Sequence, residues 1–158
     1  MSINKIIVPG LILGGTYAYY KYNQFEDFKK RASYYIEALN IVPGSLVSSN
    51  YSSVKFLLKI KIENPTSFSI ELKKIEIGIY FNGLKIGDIY SLEPVKIKGN
   101  MYSILKNEIK LDLKKLPQNI ILAINESVNQ GKIKLDFKTT FYSYWGTFEN
   151  TTKQVFEI

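Results

Sequence analysis

Val54-Lys55-Phe56-Leu57-Leu58-Lys59-Ile60-Lys61-Ile62-Glu63 runs directly into Asn64-Pro65-Thr66, and this stretch decides the fold class. Val54, Phe56, Leu58, Ile60 and Ile62 share one parity, and Lys55, Leu57, Lys59, Lys61 and Glu63 share the other. A period of two puts the first set on one face of a β-strand and the second on the opposite face, so the strand is half buried. Asn64-Pro65-Thr66 ends it, because proline has no N–H to give to a ladder.

Downstream the same pattern repeats. Ile70 and Leu72 resume the alternation, and Ile75, Ile77, Ile79 and Phe81 continue it in the opposite phase. The slip at Lys73-Lys74 predicts a β-bulge or a bend between sheets. Asn82-Gly83, between Ile75–Phe81 and Leu84–Tyr90, is the dipeptide expected of a type I′ hairpin turn. Val95 and Ile97 give a short strand ended by Gly99-Asn100, and Ile109, Leu111 and Leu113 give another. Pro117 opens a helix with Ile120, Ile121, Ile124 and Val128 on one face, closed by Gly131. Ile133, Leu135, Phe137, Thr139 and Phe141 form a further strand, and Val155 to Ile158 reads as the last. The expectation is a mainly β domain: an immunoglobulin or fibronectin III-like antiparallel β-sandwich of about seven strands with one helix.

Upstream the character differs. No charge occurs between Lys5 and Lys21, and Ile6, Ile7, Val8, Leu11, Ile12 and Leu13 supply the apolar content. Spanning a bilayer takes about 20 apolar residues, with a lower limit near 17. Ile3 and Tyr22 extend the stretch while the flanking lysines snorkel. Tyr17, Tyr19, Tyr20 and Tyr22 gather at one end like an interfacial aromatic belt. Gly10 and Gly14 have the small-xxx-small spacing that lets helices approach. Tyr-Ala-Tyr-Tyr is a poor signal-peptidase site, and three glycines and a proline weaken an ordinary soluble helix. The expectation is an N-terminal transmembrane helix, residues 1–22, making the chain a single-pass protein of a bacterial inner membrane or a phage membrane. Lys21, Lys29, Lys30 and Arg31 then place the domain on the interior side by the positive-inside rule. Phe25, Phe28, Ala32, Tyr35 and Leu39 continue at helical spacing. Residues 23–34 therefore read as a helical linker and 35–158 as the sandwich, although Tyr34-Tyr35-Ile36 suits the first strand equally well.

Composition limits the chemistry. The chain of 158 residues has neither cysteine nor histidine. That removes thiolate and imidazole metal sites, cysteine nucleophiles and any Ser-His-Asp triad. The remaining routes are a carboxylate pair, a Ser-Lys dyad or an all-oxygen metal site. The acids are scattered on polar strand phases, Ser52-Ser53-Val54-Lys55 heads a strand rather than a helix, and calcium-loop and phosphate-loop motifs are absent. The sequence therefore predicts no enzyme and no cofactor.

The formal charge is +7, with 21 Lys+Arg against 14 Asp+Glu, and Arg31 is the single arginine. Lys55, Lys59 and Lys61 share an outward phase, as do Lys132, Lys134 and Lys138. If their strands neighbour one another, they make a basic face suited to acidic lipid or nucleic-acid phosphate, although solvated lysine faces are the commoner outcome. Phe141-Tyr142-Ser143-Tyr144-Trp145-Gly146 concentrates aromatics at a turn, where they either fill core or, through Tyr142, Tyr144 and Trp145, contact a partner.

The succession of Val54–Glu63, Asn64-Pro65-Thr66, Ile75–Phe81, Asn82-Gly83 and Leu84-Lys85-Ile86-Gly87 resembles the late embryogenesis abundant type 2 family, which overlaps the "water stress and hypersensitive response" (WHy) domain. The helix from Pro117 and the strand Lys132–Tyr142 follow in the right order, so the resemblance covers residues 35–158. It implies a fibronectin-like sandwich with one helix and no catalytic residues. Asn64, Pro65, Asn82, Gly83 and Gly87 carry over as structural residues only. The lysine-rich surface and tyrosine-rich N-terminal segment depart from the family and weigh against a simple desiccation role. Together the readings predict a non-catalytic, membrane-anchored structural or interaction protein of a bacterial envelope, partnered by lipid and by other proteins. The alternatives are a minor structural protein of a lipid-containing phage virion, and a lysine-rich module for acidic lipid or nucleic acid.

Overall fold

The computed structural model describes residues 4–42, 44–50, 52–91 and 93–157. It opens with helix α1, Asn4–Arg31, 28 residues without a break. Eight strands follow: β1 Ser33–Ile41, β2 Ser53–Asn64, β3 Ile70–Phe81, β4 Leu84–Ser91, β5 Val95–Ile97, β6 Met101–Asp112, β7 Lys132–Ser143 and β8 Gly146–Glu157. A single turn of helix, α2 (Ser45–Ser48), joins β1 to β2, and a 3₁₀ turn at Leu113–Lys115 leads into α3, Gln118–Asn129.

The strands form two antiparallel sheets. One has the order β1-β2-β6, and the other β4-β3-β7-β8, with β5 also paired to β3. The even residues of β2 point inward, as their alternation predicts: Leu58, Ile60 and Ile62 are at most 2% exposed. They meet Ile75, Ile77 and Ile79 of β3, Phe137 and Phe141 of β7, and Leu105, Ile109 and Leu111 of β6 in one core. α3 crosses from the smaller sheet to the larger and packs Ile120, Ala123 and Ile124 against that core.

Local chemistry matches local geometry. Asn82 (φ 49°) and Gly83 (φ 81°) both take the left-handed conformation a type I′ turn demands, and Phe81 pairs with Leu84 across it. The register slips between Leu72 and Lys74, where the phase change in the sequence places a bulge. β8 is longer than its apolar tail implies, because Glu149-Asn150-Thr151-Thr152 lies on a solvent-facing edge beside β7 and pairs through its backbone. The bulge of β1 between Ile36 and Ala38 accounts for the broken alternation of its sequence.

The N-terminal expectation requires correction. Among the described residues no helix is long and apolar enough to cross a membrane. The helix is long, but its C-terminal part belongs to the domain: Phe25 and Phe28 are 1% and 0% exposed within the core. What remains free of charge is Ile6 to Tyr20, 15 residues. At 1.5 Å per residue that is about 22 Å, short of the roughly 30 Å hydrocarbon layer. α1 also runs unbroken through the 22/23 boundary, so residues 23–31 are a docked helix and not a linker. The side chains of Ile6, Ile7, Val8, Leu11, Ile12 and Leu13, and the Gly10–Gly14 pair, lie outside the described residues, as does Ile158.

Candidate interaction surface

Two groups of lysines were candidates for one basic face. The topology separates them: β2 belongs to the three-stranded sheet and β7 to the five-stranded one, and each presents its lysines on its own outer surface. Lys55, Lys59 and Lys61 are instead joined by β6, whose Lys106 lies opposite Lys59 and whose Lys110 lies opposite Lys55. Acids thread this face: Lys55 pairs with Glu108 and Lys61 with Glu63, each at 2.7 Å. On the other sheet Lys132 reaches Glu157 at 3.8 Å, and Lys138 lies over the Tyr80 ring at 4.7 Å. Lys134 stands opposite Val155. Neither surface is a simple positive field.

The family motif is a junction between sheets. Asn64 is 1% exposed. Its Nδ2 donates to the carbonyls of Phe68 (2.7 Å) and Lys98 (3.1 Å), and its Oδ1 accepts from Thr66 N (3.1 Å) and Thr66 Oγ1 (2.7 Å). Two donors and two acceptor positions are all in use, so the side chain satisfies backbone groups that the Pro65 break leaves without a ladder. Gly99 completes the junction, since a Cβ there would clash with the Ser67 carbonyl. Gly87 packs beside Leu111 and Ile79.

The aromatic turn divides between core and surface. Phe141 is fully buried and stacks on Phe148 at 4.8 Å, with Phe28 edge-on to Phe148 at 5.6 Å. Tyr34 packs on Phe141 at 5.0 Å. This cluster holds the C-terminal part of α1 against the sandwich. Tyr142 is half-buried and donates its hydroxyl to Glu76 at 2.8 Å. Tyr144 is 75% exposed, and Trp145 sits edge-on to it at 5.4 Å. The Ser143 hydroxyl accepts from Trp145 N and donates to the Gly146 carbonyl, which fixes the turn.

β1, β3, β6 and β8 begin at the end where α1 docks, and β2 and β7 finish there. At this helix end exposed aromatic and basic side chains gather, with Asp27, Glu63 and Glu71 among them. α1 contributes Tyr17 (62%), Tyr19 (68%) and Tyr20 (58%), and the sandwich contributes Tyr144, Tyr102 (61%) and Met101 (54%). Lys21 lies over the Phe68 ring at 5.5 Å, Lys61 over Tyr102 and Lys73 over Tyr144, both at 4.9 Å. Sequence reasoning missed Met101, Tyr102, Lys73 and Lys98 here. A two-residue apolar step after Gly99-Asn100 was the one local signal, and it does not tell which loops share an end.

Lys29 beside Glu26 and Lys74 beside Glu76 hold both carboxyls below their usual range. Glu63 and Glu76 raise the ammonium groups of Lys61 and Lys74. Each of these four shifts reinforces the ordinary charged form of its group. Among the described residues no group of three acids is placed to hold a metal.

The late embryogenesis abundant protein family, LEA_2, matches residues 59–155, from mid-β2 to near the end of β8. The chain belongs to this family. Membership places it among non-enzymatic, stress-related proteins, and α1 and β1 lie outside the matched range. Among solved structures, the LEA_2 chain is similar to AT1g01470 from Arabidopsis thaliana, in a solution structure. Identity is 16%, with 78% of this chain and 79% of that one covered, at a TM-score of 0.58. It is also similar to the solution structure of At2g46140.1, described as a late embryogenesis abundant (LEA) protein. There identity is 14%, with 99% of this chain and 90% of that one covered, at a TM-score of 0.51. At such identities the likeness speaks for the fold of this LEA_2 chain. No curated protein matches it.

Proposed function

We propose that this LEA_2 chain is a non-catalytic interaction domain held at a lipid layer by the first part of α1, which enters the layer without crossing it. The observation that carries this reading is the division of α1. Phe25 and Phe28 are locked in the core, whereas Tyr17, Tyr19 and Tyr20, upstream on the same helix, are exposed. A helix whose upstream sequence is Ile6-Ile7-Val8-Pro9-Gly10-Leu11-Ile12-Leu13 and whose next turns carry tyrosines suits insertion into the headgroup and acyl boundary, with the tyrosines at the interface. A bacterial envelope and a lipid-containing virion both offer such a layer.

Flotation with lipid vesicles tests this, comparing the full chain with one lacking residues 1–22, which retains Phe25 and Phe28. The full chain is expected to float and the shortened chain to stay at the bottom of the gradient. A carbonate wash is expected to strip a helix that enters one leaflet more readily than one that spans. Equal behaviour of the two chains would sink the proposal and leave α1 as a protein-packing element.

A further inference from the structure

The geometry points to the helix end of the sandwich as a second lipid-contact surface, which seats the domain end-on against acidic headgroups; this rests on the reading of α1 as a lipid anchor. The tyrosines of α1 have counterparts on the domain itself. Tyr144 is at the tip of the β7–β8 hairpin, Met101 and Tyr102 open β6, and Tyr35 (48% exposed) lies near the start of β1. These segments are far apart in sequence. Strand register brings them to one end, with Met101 opposite Asn64, Ser33 opposite Glu63, and Ser143 opposite both Gly146 and Leu72.

The charges around them are unbalanced. Among the described residues the ion pairs do not include Lys21, Lys73 or Lys98. Two acids of this end are paired, Asp27 with Arg31 at 3.2 Å and Glu63 with Lys61 at 2.7 Å, and Glu71 has Lys96 as its cross-strand neighbour in the β3–β5 register. Tyrosine has an apolar ring and a polar tip and favours the boundary layer, and lysine beside it favours anionic lipid over neutral. Lys61, over Tyr102, is already paired with Glu63, whereas Lys73, over one face of Tyr144, is in none of the ion pairs and is placed to carry an ammonium to a lipid phosphate.

Trp145 is the one tryptophan of the chain and lies beside Tyr144, so it reports on this surface directly. The full chain is mixed with phosphatidylcholine vesicles, with or without phosphatidylglycerol, each carrying a headgroup-level spin label. Flotation and Trp145 emission are read together. The expected result is flotation with both vesicles, but a blue shift and a several-fold quenching of Trp145 only on the acidic ones. Replacing Lys73→Glu and Lys98→Glu together is expected to abolish the shift and quenching while flotation and circular dichroism persist. A chain that floats on acidic vesicles with unchanged Trp145 emission overturns this surface and leaves the α1 anchor intact. Equal quenching of the double variant overturns it as well. A chain that floats with neither vesicle overturns both readings, and a Trp145 response to a single-stranded oligonucleotide alone reassigns the surface to nucleic acid.

Discussion

The side-chain amide of Asn64 donates to the backbone carbonyl of Lys98 at 3.1 Å, across 34 positions of sequence. That bond, with its companion to Phe68, ties the end of β2 in one sheet to the approach to β6 and the start of β3 in the other. Asn64→Ala leaves two carbonyls and the Thr66 N–H without their partner in a buried site. Each unsatisfied buried group costs about 1–3 kcal/mol, so a loss of roughly 3 kcal/mol is expected. Asn64→Asp is expected to be worse, since it turns the donor toward those carbonyls into an acceptor. Urea midpoints of the two variants check both the loss and the order.

Phe28 is fully buried and edge-on to Phe148. Phe28→Ala is expected to destabilise the whole domain by about 3–5 kcal/mol, the usual range for emptying a buried phenylalanine site. Deletion of residues 1–22, which removes none of this contact, is expected to shift the thermal midpoint far less. Similar losses from both changes would show that α1 acts as one unit.

Tyr34 buries a hydroxyl that has no hydrogen-bond partner in the protein. Burial pushes its pKa well above the ordinary tyrosine value. The folded state therefore holds this proton more tightly than the unfolded state does. The stability that follows is present below the unfolded value near 10 and is lost as pH rises beyond it. Tyr34→Phe removes an unsatisfied group and is expected to be neutral or stabilising at pH 7. The advantage of the variant should widen in urea titrations above pH 10, and a gap that narrows there would contradict the assignment.

Lys59 and Lys106 stand directly opposite each other between β2 and β6. Like charges in that position are unfavourable, so Lys59→Glu is expected to stabilise by about 0.5 kcal/mol at low salt. The gain should shrink in molar salt as screening shortens the reach of the charges. A salt-independent effect would point to packing against Ala38, the other cross-strand neighbour of Lys59, instead.

Short-range physics made much of this fold legible in the sequence. Period-two alternation located β2, β3 and β7, Asn82-Gly83 located the hairpin, the phase slip at Lys73-Lys74 located the bulge, and Pro117 and Gly131 bracketed α3. Each signal is carried by neighbours a few residues apart, and the backbone allows few other arrangements. Where a segment pairs through backbone with polar side chains, as β8 does, there was no apolar pattern to read. The sequence alone also establishes the absence of cysteine and histidine, and with it the absence of the chemistry those residues carry.

Tertiary structure decided everything that depends on which segments meet. It assigned the lysines of β2 and β7 to different sheets, and it set Lys106 and Lys110 against Lys59 and Lys55. It drew Phe25 and Phe28 into the core, which shortened the free part of α1. It also brought Tyr144, Tyr102 and Met101 to the end where that helix docks. Contacts of this kind depend on sheet order and strand register, set by the summed burial of the whole core, and no local stretch of residues encodes that sum.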